Sequence, residues 1–180
     1  MRVIAGVAGG RRLVGPKGSV TRPPTDRMRE ALFASLGDSV PGAHVLDLYA
    51  GAGTFGLEAL SRGAVGATFV ERDRRALAAL RHNIAAVDLG GTVLPIDVNR
   101  AFERLSGEFD VVFVDPPYAL GADDLEPILA AVASRLSSGG VVLVHRRRDG
   151  IEVPTRGTLV SSRNRRYGDA RVWWYEKEER

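Results

Sequence analysis

Apolar positions along this chain switch repeatedly between continuous short runs and a spacing of three to four, which marks strands alternating with helices. Residues 45–49 (VLDLY), 67–70, 91–96, 110–114 (DVVFV) and 141–144 are short runs suited to buried strands. Between them, helical spacing recurs at Met28, Ala31, Leu32, Ser35 and Leu36, at Leu57 and Leu60, at Leu77, Leu80, Ile84 and Val87, and at Leu125, Ile128, Leu129, Val132 and Leu136. Pro23 and Pro24 hold the approach to the first helix extended, Thr25 or Asp26 caps it and Gly37 ends it. Asp73 is placed to cap the third helix, a short helix is expected over residues 99–105 after Asp97, and Asp123 and Glu126 have capping-box spacing. Gly139 and Gly140 are expected to end the helix that follows.

The alternation over residues 44–144 calls for an α/β, doubly wound, Rossmann-like sheet, mostly parallel and covered on both faces. Residues 157–163 and 171–176, joined through Tyr167, Gly168 and Asp169, add an antiparallel C-terminal strand pair. Ahead of the sheet, residues 2–14 carry two β-prone runs around Gly9 and Gly10, which predicts a small N-terminal β-hairpin. The expected organisation is a basic arm over residues 1–20 and one domain over residues 21–180, with no internal repeat or long linker.

Charge sharpens this division. Residues 1–30 hold seven basic and two acidic residues and residues 145–172 hold eight and three, so each segment carries +5, whereas residues 31–144 carry −6. Both ends of the domain are basic, a distribution that suits contacts to nucleic-acid phosphates. Cysteine is absent, which excludes disulfides and thiolate metal sites and agrees with a reducing compartment. No early apolar run is long enough for a secretion signal and none approaches a membrane span, so a cytoplasmic protein without membrane contact is expected.

Candidate chemistry lies at the ends of two strands. Gly51, Gly53 and Gly56 have G-x-G-x-x-G spacing directly after the first strand, and Glu71 ends the second strand twenty positions after Gly51. Spacing alone leaves a dinucleotide and another adenosine ligand open. Asp47 favours the second, because a carboxylate at this strand end repels a pyrophosphate and attracts an ammonium or sulfonium, as in S-adenosylmethionine. The second motif is Asp115-Pro116-Pro117-Tyr118, directly after the fourth strand. In a doubly wound sheet the first and fourth strands are neighbours, so both motifs share one cleft. The Asp115 carboxylate and Pro116 carbonyl can accept the two protons of an exocyclic base amine, two successive prolines limit backbone motion, and Tyr118 can stack on a base.

DPPY after a strand, downstream of an acid-then-glycine loop, resembles the amino-methyltransferases of DNA and RNA bases. Arg2-Val3-Ile4, Gly10-Arg11-Arg12-Leu13, Arg22-Pro23, Asp26-Arg27, Arg29-Glu30 and Leu32-Phe33, together with DLYAGAGTFGLEALSRGA and FVDPPY, resemble the RsmD family of bacterial 16S ribosomal RNA guanine-N2 methyltransferases. The resemblance implies that Asp47, Ala50, Gly51 and Gly53 hold the methionine end of S-adenosylmethionine and Glu71 the ribose, while Asp97 and the Val98 backbone hold the adenine. It assigns the guanine to Asp115, Pro116, Pro117 and Tyr118. The basic arm, with Arg2, Arg11, Arg12, Lys17, Arg22 and Arg27, is expected to contact 16S rRNA, naked or in a small ribosomal subunit, and the enzyme to act as a monomer without metal.

Gly9 and Pro24 depart from the family pattern. So do His145 and Arg146, which replace an acidic stretch and are expected not to touch the cleft motifs; Arg72 is expected to be solvated. Three rivals remain. A nicotinamide-dependent oxidoreductase leaves Asp47 and DPPY without a role, and a non-catalytic RNA-binding module leaves the glycine loop without one. A DNA adenine-N6 methyltransferase shares DPPY, but 180 residues leave no room for a target-recognition domain.

Overall fold

The computed structural model describes residues 1–16, 18, 25–147, 149–150, 152–155 and 159–177. Its elements are α1 (Asp26–Leu36), a 3-10 turn (Gly37–Ser39), β1 (His44–Leu48), α2 (Thr54–Ser61), β2 (Gly66–Val70), α3 (Arg74–Val87), β3 (Thr92–Leu94), α4 (Val98–Ala101), β4 (Phe109–Val114), α5 (Ala122–Ala133), β5 (Leu136–Arg147), β6 (Leu159–Tyr167) and β7 (Ala170–Lys177). Among the described residues seven strands form one sheet in the order β3-β2-β1-β4-β5-β7-β6. The first five strands pair in parallel, β7 runs antiparallel to β5 and β6 antiparallel to β7. The sheet is doubly wound, as the alternation predicts.

Strand alternation splits the core into two layers. Val45, Val111, Phe113, Leu143 and Trp174 face a layer filled by Met28, Leu32, Phe33, Leu57, Leu77 and Leu80 of α1, α2 and α3. Leu46, Leu48, Val112, Val114, Val142 and Trp173 face the opposite layer, filled by Leu125, Ile128, Leu129 and Val132 of α5 with Ala101 of α4. A strand buried on both faces must be apolar throughout, which is why DVVFV reads as a run and not as an alternation.

Local caps place the helices. The Thr25 hydroxyl accepts from the Met28 N–H at 3.2 Å, and the Asp73 carboxylate accepts from the N–H groups of Arg75 and Ala76 at 3.0 and 2.9 Å. Three sequence expectations need correction. The α4 helix starts at Val98 because Asp97 caps it, accepting from the Asn99 N–H at 2.9 Å, and it stops at Ala101. Gly121, not Asp123, occupies the cap position of α5, and its N–H donates to Asp124 at 3.2 Å. The α5 helix ends at Ala133, while Leu136 pairs with Phe109 and opens β5, so Gly139 and Gly140 lie inside a strand. Sheet pairing prevails there over helical spacing.

The N-terminal segment turns back over Ala5 to Gly10 as a short, irregular hairpin: Arg2 and Arg12 form an antiparallel bridge, and the N–H groups of Val3 and Leu13 donate to the carbonyls of Arg11 and Met1, both at 3.0 Å. Val3, Ala8 and Leu13 are buried in the same layer as α1 to α3. Gly6 lies so close to α2 that a Cβ there would sit 1.8 Å from the Ser61 carbonyl oxygen, and its φ of +82° also favours glycine. The Val7 N–H donates to that carbonyl at 2.8 Å and the Ala8 N–H to the Ser61 hydroxyl at 2.9 Å. Glu58, buried in α2, accepts from the N–H groups of Ile4 and Ala5 at 2.6 and 3.1 Å.

Candidate active site

The β1 and β4 strands run side by side with Leu48 opposite Val114, and the Asp115 N–H donates to the Leu48 carbonyl at 3.3 Å. The loop after β1 and the DPPY turn after β4 therefore emerge together at the carboxyl edge of the sheet. They border a cleft of about 690 Å³ lined by residues 49–52, 70–73, 96–98 and 115–118, with Thr54, His145 and Met1, Gly15 and Pro16 of the N-terminal segment. Among the described residues, the carboxylates of Glu71, Asp73, Asp97 and Asp115 and the guanidiniums of Arg72 and Arg75 belong to this wall.

The three loop glycines do different work. Gly51 has a φ of +56°, and a Cβ on it would meet nothing nearer than the Tyr49 carbonyl oxygen at 4.0 Å, so its backbone is open to a ligand. A Cβ on Gly53 would lie 2.4 Å from Leu80 Cδ1, and one on Gly56 2.3 Å from Phe69 Cε1. Those two positions let α2 approach β2 and α3, and Gly53 is not part of the cleft wall. Tyr49, just before the loop, adopts a φ of 59°, a strained value for a residue with a Cβ. It lines the cleft half-buried, and burial first, then the nearby Asp97 charge, push its hydroxyl up to about 12.

Asp47 lies beneath the loop and is fully buried; it does not line the cleft. One oxygen accepts from the Gly56 N–H at 2.9 Å, and the other has no hydrogen-bond partner among the described residues. Burial raises its pKa well above the usual carboxylate range; the Gly56 N–H pulls it back, and Asp115 and Glu71 add repulsion. An uncompensated buried carboxylate under the loop fits a cationic ligand above it.

Glu71 is already engaged by backbone. Its oxygens accept from the N–H groups of Gly51 at 2.9 Å, Arg72 at 2.7 Å and Asp73 at 2.8 Å, tying the glycine loop to the end of β2. Asp97 receives the Arg72 guanidinium at 2.7 Å on its second oxygen, so Arg72, although 74% exposed, is paired across the cleft and not simply solvated. The Asn99 N–H, and then Arg72, hold the Asp97 carboxyl below its ordinary range against the opposing effect of burial.

At the DPPY turn, Asp115 is partly exposed and one of its oxygens lies 2.6 Å from His145 Nδ1. His145 is 5% exposed and lies edge-on to Phe55 at 6.5 Å. The expectation that this position leaves the cleft motifs untouched is thus corrected. Val144 pairs with Val114, so the next residue of β5 falls beside Asp115. The adjacency of strands four and five was the available signal. Tyr118 is 46% exposed with the Arg147 guanidinium 5.8 Å from its ring centroid, and partial burial, then Asp115, raise its hydroxyl pKa.

The proposed RNA contacts fare unequally. Arg11 donates to the Ala86 and Val87 carbonyls at 2.6 and 3.1 Å, capping the C-terminus of α3, and Arg2 pairs with Asp26 at 3.4 Å. Arg12 and Arg27 are exposed, while Lys17 and Arg22 lie outside the described residues.

A loop with open backbone over a buried acid, facing a DPPY turn across the switch point of a 3-2-1-4-5-7-6 sheet, defines a class I methyltransferase dependent on S-adenosylmethionine. Such a cofactor supplies an electrophilic methyl group on sulfur, and the open Gly51 backbone, orphaned Asp47 oxygen and carboxylate-rich wall suit its cationic amino-acid end. The chain belongs to the RsmD family: the family model described as Conserved hypothetical protein 95 matches residues 1–176. It is 36% identical over 186 residues to "Putative rRNA methyltransferase YlbH" of Bacillus subtilis, covering 98% of this chain and 99% of that one. To Ribosomal RNA small subunit methyltransferase D of Escherichia coli K12 it is 41% identical over 122 residues, which are 67% of this chain and 62% of the relative. The solved structure of the Escherichia coli yhhF protein superposes with a TM-score of 0.83 at 33% identity, covering 99% of this chain and 98% of that one.

Proposed function

We propose that this enzyme transfers a methyl group from S-adenosylmethionine to the exocyclic N2 amine of a guanine in 16S rRNA. The observation that carries this reading is the placement of Asp115-Pro116-Pro117-Tyr118 beside the glycine loop in one cleft. The rRNA substrate is supported by the names of the relatives from Bacillus subtilis and Escherichia coli. In this reading Ala50 and Gly51 receive the methionine end and Asp47 acts on it electrostatically from beneath, with Gly53 shaping the loop. Glu71 takes the ribose, Asp97 and Val98 the adenine, and Tyr118 stacks on the guanine. The amine nitrogen bonds to the methyl carbon as the carbon–sulfur bond breaks, and the bonding pair stays on sulfur. Asp115 and the Pro116 carbonyl hold the amine protons, and the surplus proton leaves through Asp115. Pro117 keeps the turn rigid. The enzyme works as a monomer in the cytoplasm, on free rRNA or on a small subunit in assembly.

Methylation mapping of rRNA from a strain lacking the gene, complemented with wild type or Asp115→Ala, tests this. Wild type restores N2-methylguanine in 16S rRNA. Asp115→Ala lowers turnover by about a hundredfold or more while S-adenosylmethionine affinity stays within about threefold, because acceptor loss falls on the transition state. Near-normal turnover by Asp115→Ala, or restoration of a different modification, rejects the reading.

A further inference from the structure

Asp115 is the residue on which the proposed transfer turns, and a carboxylate on a turn can rotate about its terminal bond. Its backbone is fixed, since its N–H donates to Leu48 of the neighbouring strand at 3.3 Å. Among the described residues its side chain is hydrogen-bonded by His145 alone: Oδ1 lies 2.6 Å from Nδ1, and Oδ2 has no partner there. His145 is in turn held from two sides. Its backbone pairs with Val172 of β7, and its ring packs edge-on against Phe55 of α2. The second ring nitrogen, Nε2, is buried and unpartnered among the described residues. A carboxylate accepts, so the tautomer with the proton on Nδ1 makes the charge-assisted bond and leaves Nε2 as a bare lone pair.

We infer that His145 is a positioning residue for methyl transfer: the Nδ1–H of His145 holds Asp115 by one carboxylate oxygen and so keeps the other directed at the substrate amine. The inference rests on the proposed role of Asp115 as acceptor of the amine. A side chain that orients another acts on the rate of the bound complex, not on cofactor binding, and small misplacements of a reacting group cost large factors.

The test uses the full chain and rRNA from the strain lacking the gene. His145→Leu keeps an apolar body against Phe55 and loses the donor; His145→Asn places an amide N–H near the position of Nδ1; His145→Gln places it near Nε2. His145→Leu is expected to lower kcat about ten- to a hundredfold with KM for RNA and affinity for S-adenosylmethionine within about threefold, and His145→Asn to recover most of the rate. Wild-type kcat in His145→Leu, equal loss in Leu and Asn, or an effect confined to KM overturns the inference. If His145→Leu shows no cooperative thermal transition, the comparison of Asn with Gln decides: an active Asn and impaired Gln support the inference, and equal or reversed activities overturn it. Asp115→Ala, assayed alongside, separates the two readings. Full turnover there overturns the role of Asp115 and this inference with it. An inactive Asp115→Ala with a fully active His145→Leu overturns the inference alone.

Discussion

Asp47 sits where the physics of a single residue is least forgiving, buried, ionisable and, among the described residues, bonded through one oxygen. Its folded-state pKa is raised, chiefly by burial, so the free protein gives up stability when this group ionises. Below the unfolded value of about 3.9 the carboxyl is protonated in both states and carries no penalty. As pH rises from there the unfolded chain ionises first, and stability falls until pH passes the higher folded-state pKa. Asp47→Asn keeps an acceptor for the Gly56 N–H and removes the charge. Thermal melts without cofactor should therefore coincide for the two proteins near about pH 3.5 and diverge upward, with the Asn variant melting a few degrees higher near about pH 8. S-adenosylmethionine should raise the melting temperature of wild type more than that of the variant. A wild type that is the more stable protein near pH 8 without cofactor would show that another cation already compensates Asp47.

At the scale of elements, the least expected feature is the clasp between the N-terminal segment, α1 and α2. Arg29 of α1 is fully buried, donates to the Arg2 carbonyl at 2.6 Å and to Asp26 at 2.7 Å, and lies 3.6 Å from Glu58 of α2. Glu58, also fully buried, accepts from Arg62 at 2.7 Å besides the N–H groups of Ile4 and Ala5. The motif spacing of Arg29 and Glu58 gave no sign of burial, because a charged residue on a helix is normally a solvated one and only its partners reveal otherwise. Glu58→Ala removes one of the two carboxylates facing the buried Arg29, which keeps Asp26, and takes the acceptor from Arg62 and from the partly buried N–H groups of Ile4 and Ala5. It should cost about 3–5 kcal/mol in urea unfolding, read as a lower midpoint. A loss under about 1 kcal/mol would mean that the segment docks through Val3, Ala8, Leu13 and its hydrogen bonds to Ser61, without help from Glu58.

At the scale of the molecule, the basic C-terminal strand meets the first helix. Arg163 and Arg165 of β6 donate to the backbone and side chain of Ser35 in α1 at 3.2 and 3.0 Å, across 128 and 130 positions of sequence. The C-terminal strand β6 thereby reaches the helix that carries Arg27 and Arg29, of which Arg29 is buried. Replacing Arg12 and Arg27 together should weaken rRNA binding and flatten its salt dependence by about one to one and a half log units per log unit of salt, each lost phosphate contact contributing about 0.7. S-adenosylmethionine affinity should not change. Arg11→Ala should instead lower stability, since its guanidinium caps α3. An unaltered salt slope in the Arg12 and Arg27 double variant would shift the RNA contact to the β6 edge.

The doubly wound sheet and the shared cleft could be read from the chain because they follow from local rules. Apolar runs such as DVVFV, caps such as Asp73 and glycines after a strand each act within a few residues, and strand alternation then leaves few topologies. The same locality brings Asp115 and Gly51 together: each follows one of two neighbouring strands, β4 and β1. What sequence spacing left undetermined were contacts between residues distant in the chain, whose outcome depends on which side chain wins a shared position. Tertiary structure turned Gly53 and Gly56 into packing residues against Leu80 and Phe69, drew Arg11 to the end of α3, buried Asp47 beneath its loop and set His145 on Asp115. Each of these is a close-packing, desolvation or hydrogen-bond decision made at distances of about 2 to 4 Å, and periodicity in a sequence carries no information at that resolution.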